Sequence, residues 1–127
     1  LGMQLLADSS EEHGDHEGLG WIAGRVTRLP ATPPRVRVPH IGWNAVTVAR
    51  GDGLFAGFDQ ASDFYFVHSY YVEMADVSLT AATCQHGLTF SAAVGRETLV
   101  ATHVHPEKSQ HAGLKLYANF LAWNGEV

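Results

Sequence analysis

The sequence predicts an α/β domain of short strands closed by a C-terminal helix. Three observations predict it. Apolar and polar residues alternate in short stretches between residues 21 and 48, and residues 64–72 are dense in aromatic and β-branched side chains. Near the end, Leu114, Tyr117 and Leu121 recur at helical spacing, as do Leu116, Phe120 and Trp123. With 127 residues and 46 % hydrophobic composition, the chain suits one domain over residues 1–127 with a buried core.

In order along the chain, residues 1–7 carry good helix formers around a glycine and read as the start of a helix. Residues 9–20 are polar and glycine-containing, a loop. Across residues 21–29, Ile22, Val26 and Leu29 interleave with Arg25, Thr27 and Arg28, and residues 35–38 and 46–48 repeat the pattern with prolines between. These predict half-buried, antiparallel strands. Residues 51–57 form a short irregular or helical connection, and residues 64–72 predict a central strand. Residues 79–84 and 88–94 flank Gln85-His86-Gly87, a hairpin, and residues 99–104 give one more strand. The closing helix covers residues 109–123, with Ser109 as its cap.

Composition excludes several classes. Thirteen acids against eight bases give a net charge of -5 with no basic cluster, so the footprint that a phosphate backbone requires is missing and nucleic acid is not an expected partner. No apolar run approaches the roughly 18–20 residues that span a bilayer, and no charged region of a signal peptide opens the chain, so a soluble cytoplasmic protein is expected. The single cysteine excludes an intrachain disulfide and fits a reducing compartment.

Two segments carry the candidate chemistry, Pro39-His40-Ile41-Gly42-Trp43-Asn44 and Thr102-His103-Val104-His105-Pro106-Glu107-Lys108-Ser109. In the second, a histidine and a carboxylate stand two positions apart. On an extended strand they point to one side, so Glu107 is placed to orient His105 as a base. Such a pair lacks a nucleophile. Cys84 ends a predicted strand and reads as a small buried hydrophobe rather than a reactive thiol. His13 with His16, and His103 with His105, have spacings a metal would accept, but without a second spaced cluster neither a metal site nor any other cofactor is expected.

Together with Leu1-Gly2-Met3-Gln4-Leu5-Leu6 and Phe64-Tyr65-Phe66-Val67-His68-Ser69-Tyr70, these segments resemble the glutaminase subunits of imidazole glycerol phosphate synthase, within the class I glutamine amidotransferases, from Leu1 to about Trp123. The resemblance implies an α/β fold, the C-terminal part of that flavodoxin-like domain, a mixed sheet with a C-terminal helix. Family members carry their nucleophile in a Gly-x-Cys-Leu-Gly-Met-Gln turn, and this sequence starts at the Leu after the cysteine, so the nucleophile and the first strands are expected to be missing. The expected activity of the parent protein is hydrolysis of glutamine to glutamate and ammonia for histidine biosynthesis.

By the same resemblance, His105 is general base and acid and Glu107 orients it. Gln4, Ser69 and Tyr70 hold the substrate glutamine, and the backbone N–H of Leu1 belongs to the oxyanion hole. The family has Gln-Phe where this chain has His103-Val104. His40, Trp43, Asn44, Tyr65 and Lys108 resemble the surface that docks on a (β/α)₈-barrel cyclase, which uses the ammonia on a formimino aminoimidazole carboxamide ribotide. The alternative is a truncated, inactive form that only binds or self-associates. In either case uncovered strand edges favour self-association through residues 1–6 and 64–72.

Overall fold

Alternation along a strand places successive side chains on opposite faces. The computed structural model describes residues 2–31, 36–51, 53–59, 61–96 and 98–125, and there the alternating segments assemble into two sheets. Helix α1 (Gly2–Leu5) is followed by β1 (Ser9–Ser10), β2 (His16–Glu17), β3 (Gly24–Arg28) and β4 (His40–Val48). Then come β5 (Ala61–His68), β6 (Tyr70–Met74), β7 (Thr80–Gln85), β8 (Thr89–Arg96), β9 (Leu99–Thr102) and helix α2 (Gln110–Ala122). The first sheet runs β2-β1-β3-β6, mixed because β1 lies parallel to β3. The second runs β5-β4-β7-β8-β9 and is antiparallel throughout. This is the α/β arrangement with a C-terminal helix that the sequence predicts.

Several expectations change. The loop over residues 9–20 contains the two-residue strands β1 and β2. Of residues 35–38 only Val36 makes a bridge, and Arg35 lies outside the described residues. Strand β4 starts at His40, so the Pro-His-Ile-Gly-Trp-Asn string is mostly strand; Gly42 and the polar Asn44 hid this from a pattern reading.

The predicted central strand over residues 64–72 is two edge strands. Ser69 is the corner: β5 ends one sheet, β6 ends the other, and the Ser69 carbonyl accepts the Leu29 N–H. Aromatic and branched residues report packing on both faces, not position within a sheet, which is why the edge was not legible. Within the second sheet, β7 and β8 form the expected hairpin, with Gln85 paired to Thr89 and Gly87 at a φ of 78°.

One core cluster lies between the second sheet and α2, built on Phe55, Phe64, Phe66, Phe90 and Leu116. A second gathers Met3, Leu6, Val26, Val72 and Val94 beneath the first sheet. Of the apolar residues that define the two stripes on α2, Leu116 is buried, whereas Phe120 is half exposed and Leu114 and Leu121 are 67 % and 85 % exposed. Among the described residues no helix is long and apolar enough to cross a membrane.

Candidate active site

The loop after β9 carries the His105–Glu107 pair, and two backbone hydrogen bonds and the Ser109 hydroxyl fasten it. The His103 N–H donates to Ala92 of β8 at 2.8 Å, and the His105 N–H donates to the Tyr65 carbonyl of β5 at 3.0 Å. Residues Pro106–Lys108 then form a 3₁₀ turn. Ser109, the N-cap of α2 by position, does not cap with its side chain. Its hydroxyl instead accepts the Tyr65 N–H at 3.0 Å and donates to the His105 carbonyl at 2.6 Å. The open edge of β5 thus finds its partners at Tyr65 in the His105–Glu107 loop, which satisfies backbone groups that would otherwise be orphaned. Close packing completes the seat: a Cβ at position 113 would collide with the Pro106 carbonyl, so only Gly113 lets α2 lie against the turn.

Here His105 Nδ1–H donates to Glu107 Oε1 at 2.7 Å. The geometry differs from the expected straight strand, because Pro106 starts a turn and Glu107 reaches back from inside it. That hydrogen bond from His105, ahead of the weaker attraction of Lys108, holds the Glu107 carboxyl below its ordinary value. With Nδ1 committed to the carboxylate, Nε2 is the nitrogen left to take or give a proton.

Beside this pair, a cavity of about 190 Å³ is lined by His105 together with Gln4, Ser69 and Tyr70, so the structure brings these four predicted residues to one place. Gln4 Nε2 donates to the Tyr70 carbonyl at 3.3 Å. Leu1 lies outside the described residues. His103, noted in the sequence only for its spacing from His105 and as a departure from the family, also lines the cavity, as do Glu12 and His68, which were not singled out. His68 had a signal, since it directly precedes the Ser-Tyr pair; Glu12 had none within its polar run.

The expected partner surface splits in two. Trp43 and Tyr65, register partners on β4 and β5, share the outer face, with their rings 6.0 Å apart edge to face and Lys108 Nζ 5.7 Å from the Tyr65 centroid. Ile41 and Val67 extend this face, and Trp43 is 49 % exposed. His40 and Asn44 do not belong to it. Strand alternation turns them to the inner face, where His40 is buried and stacks between Phe66 and His86.

Three histidines on that side are held neutral. Burial, reinforced by repulsion from His86 and His68, pulls His40 down to about 4. Burial likewise brings His68 to about 4, against the opposing hydrogen bond to Tyr70. The most enclosed, His103, falls to about 3, again chiefly by burial and then by the neighbouring His68. Cys84 is buried too, and burial pushes its thiol up to about 11, far from the thiolate that nucleophilic attack requires. Among the described residues no group of three or more His, Cys, Asp or Glu is arranged to hold a metal ion.

Residues 1–123 match the family described as glutamine amidotransferase class-I. The chain is similar to the imidazole glycerol phosphate synthase subunit HisH of Rhodospirillum rubrum, 48 % identical over 124 residues, covering 97 % of this chain and 58 % of that protein. The same subunit from Syntrophotalea carbinolica is 48 % identical, with 94 % of this chain and 60 % of the relative covered. That of Chromobacterium violaceum is 47 % identical, with 100 % and 61 % covered. The chain therefore spans about three-fifths of the length of these relatives. A crystal structure described as a GMP synthase subunit from Thermoplasma acidophilum shares the fold, with a TM-score of 0.60 at 20 % identity over 78 % of this chain and 47 % of that one.

Proposed function

Because the chain belongs to the class-I glutamine amidotransferase family, we propose that it is part of the glutaminase subunit of an imidazole glycerol phosphate synthase, hydrolysing glutamine to glutamate and ammonia for histidine biosynthesis. The observation that carries this reading is the 2.7 Å His105–Glu107 pair at a cavity lined by Gln4, Ser69 and Tyr70. Hydrolysis of a side-chain amide needs a thiolate to attack the carbonyl, a base to activate it, and an acid to protonate the departing ammonia. His105 Nε2 is placed for the second and third tasks. The imidazolium formed on the way is stabilised by the Glu107 carboxylate, which also fixes the tautomer. Partner docking belongs to the outer face of β4 and β5, where Trp43, Tyr65 and Lys108 meet a barrel-shaped cyclase that receives the ammonia.

Cys84 does not supply the thiolate, being buried, shifted upward and on the inner side of β7. The attacking thiolate therefore comes from outside these 127 residues, and the polypeptide alone is expected to release no glutamate. Glutamate release measured with and without the cyclase tests this. Turnover by the 127-residue chain that disappears in His105→Ala would overturn it.

The exposed Leu114 and Leu121 on α2, together with Leu5 at 54 %, favour self-association as a second property of the chain. Light scattering at micromolar concentration is expected to show a dimer or larger species, and a stable monomer would exclude it.

A further inference from the structure

His40 and His68 are register partners across β4 and β5, and His40 Nδ1 lies 2.9 Å from His68 Nε2. Each end of this contact stands on a carbonyl, a group that only accepts. His68 Nδ1 is 2.8 Å from the Tyr70 carbonyl oxygen, so Nδ1 carries the proton and Nε2 of the neutral ring offers a lone pair. At the other end, Asn44 Nδ2 donates to the Gln85 carbonyl at 3.0 Å while Asn44 Oδ1 takes the Ala45 N–H at 2.8 Å, which fixes the amide orientation. The same Nδ2 lies 3.2 Å from His40 Nε2, so that nitrogen accepts and His40 Nδ1 carries the proton. The polarities deduced from the two ends agree: His40 Nδ1–H donates to His68 Nε2.

The chain ends at the pocket. The Tyr70 oxygen that accepts from His68 also accepts from Gln4 Nε2, so one carbonyl ties both side chains. His40 has little freedom to turn, since its ring lies between Phe66, at 4.8 Å and 19°, and His86, at 4.0 Å and 12°. A proton added to either ring would set two N–H donors against each other, and burial opposes that charge at both positions.

We propose that Asn44, His40 and His68 form a one-directional hydrogen-bond chain that fixes the Tyr70 carbonyl and, through it, the Gln4 amide, making His40 and His68 positioning residues for an α-amino-acid ligand. The ligand class rests on the functional reading above; the chain itself rests on geometry alone. The closing experiment separates the two. Long-range ¹H–¹⁵N correlation on the labelled 127-residue protein at neutral pH should show His40 and His68 neutral and protonated at Nδ1. In Asn44→Asp the carboxylate cannot donate, so His40 takes its proton on Nε2, and two lone pairs then face each other across the 2.9 Å contact. The His68 and Gln4 side-chain signals should shift, and glutamine affinity in a titration should fall about 5-fold, the equivalent of one hydrogen bond. His40→Phe keeps the stacking and removes both nitrogens, and should shift the same signals. Nε2–H tautomers in the parent protein, or unchanged His68 and Gln4 signals in both variants, would overturn the proposal. The assigned tautomers and shifts without glutamine uptake would support the chain and count against the functional reading instead.

Discussion

The His105–Glu107 loop and the inner face of β4 and β5 use the same side chain in opposite ways. His105 is partly exposed, with the Glu107 carboxylate 2.7 Å from its Nδ1. His40, His68 and His103 are surrounded by apolar rings, carbonyls and one another, and their charged forms are penalised. A histidine that must take up a proton during a reaction needs an anion and access. One that must keep a fixed tautomer needs neither, and is best placed where charge is expensive. The two environments are neighbours, since His103 and His105 are two residues apart and His68 and His103 have ring centroids 4.4 Å apart.

The largest expected effect is on the His105 side of this comparison. In a form extended to carry the family's nucleophilic cysteine, His105→Ala should lower glutaminase turnover by about 10³-fold or more, and Glu107→Gln by roughly 10–10³-fold with folding intact. Steady-state glutamate release measures both. Wild-type turnover in Glu107→Gln would remove the carboxylate from the mechanism.

The second effect tests the neutral side. His40, His68 and His103 have folded values below the ordinary 6.5, so the unfolded chain binds more protons than the folded one as pH falls below 6.5. Their contribution to stability is complete above pH 6.5 and is lost progressively toward pH 4. His68 and His103 can each contribute a slope of up to about 1.4 kcal/mol per pH unit, with His40 contributing less. Urea midpoints at pH 7.5 and 5 should therefore differ clearly, and His103→Gln should reduce the difference. Equal midpoints would mean that these rings are charged in the folded state.

The same contrast decides what was legible in the sequence. The His105–Glu107 pair is local, two positions apart and marked by Pro106, so it was readable, although the turn that closes it was not. Strand β3 showed itself by alternation, and β7 and β8 by the Gln85-His86-Gly87 turn between them. The pairing of His40 with His68 is 28 residues apart and exists only once the β4–β5 register is fixed. Ser109 was readable as the helix start but not as a bridge, because tertiary partners at Tyr65 and His105 outcompete the local cap. The two faces of β4 were likewise inseparable until its extent was known, and the split of Trp43 from His40 and Asn44 follows from that one fact.

Outer and inner faces of β4 can be separated experimentally. Trp43→Ala should weaken binding of the cyclase by about 1–3 kcal/mol if Trp43 anchors the interface. It should leave the His40 and His68 tautomers unchanged, since those rings lie on the opposite side of the strand. Calorimetry measures the first and the nitrogen spectra the second. Unchanged affinity would move the docking surface away from this face, whereas altered tautomers would show that the two faces are coupled.

The smallest effect concerns how the His105 side is held. Ser109 is 1 % exposed, and its hydroxyl is the link between the edge of β5 and the carbonyl of His105. Ser109→Ala leaves the Tyr65 N–H without a partner in a buried setting and frees one lone pair of the His105 carbonyl. The expected loss is about 1–2 kcal/mol of folding stability, less if a water enters. Because the His105 N–H still donates to Tyr65, the loop should stay docked while the imidazole gains rotational freedom. In the cysteine-bearing form this predicts a fall in turnover with little change in KM, and an unaltered acid dependence of stability because the buried histidines are untouched. A steeper acid dependence in Ser109→Ala would show instead that the His105–Glu107 loop and the buried histidines open together as one unit.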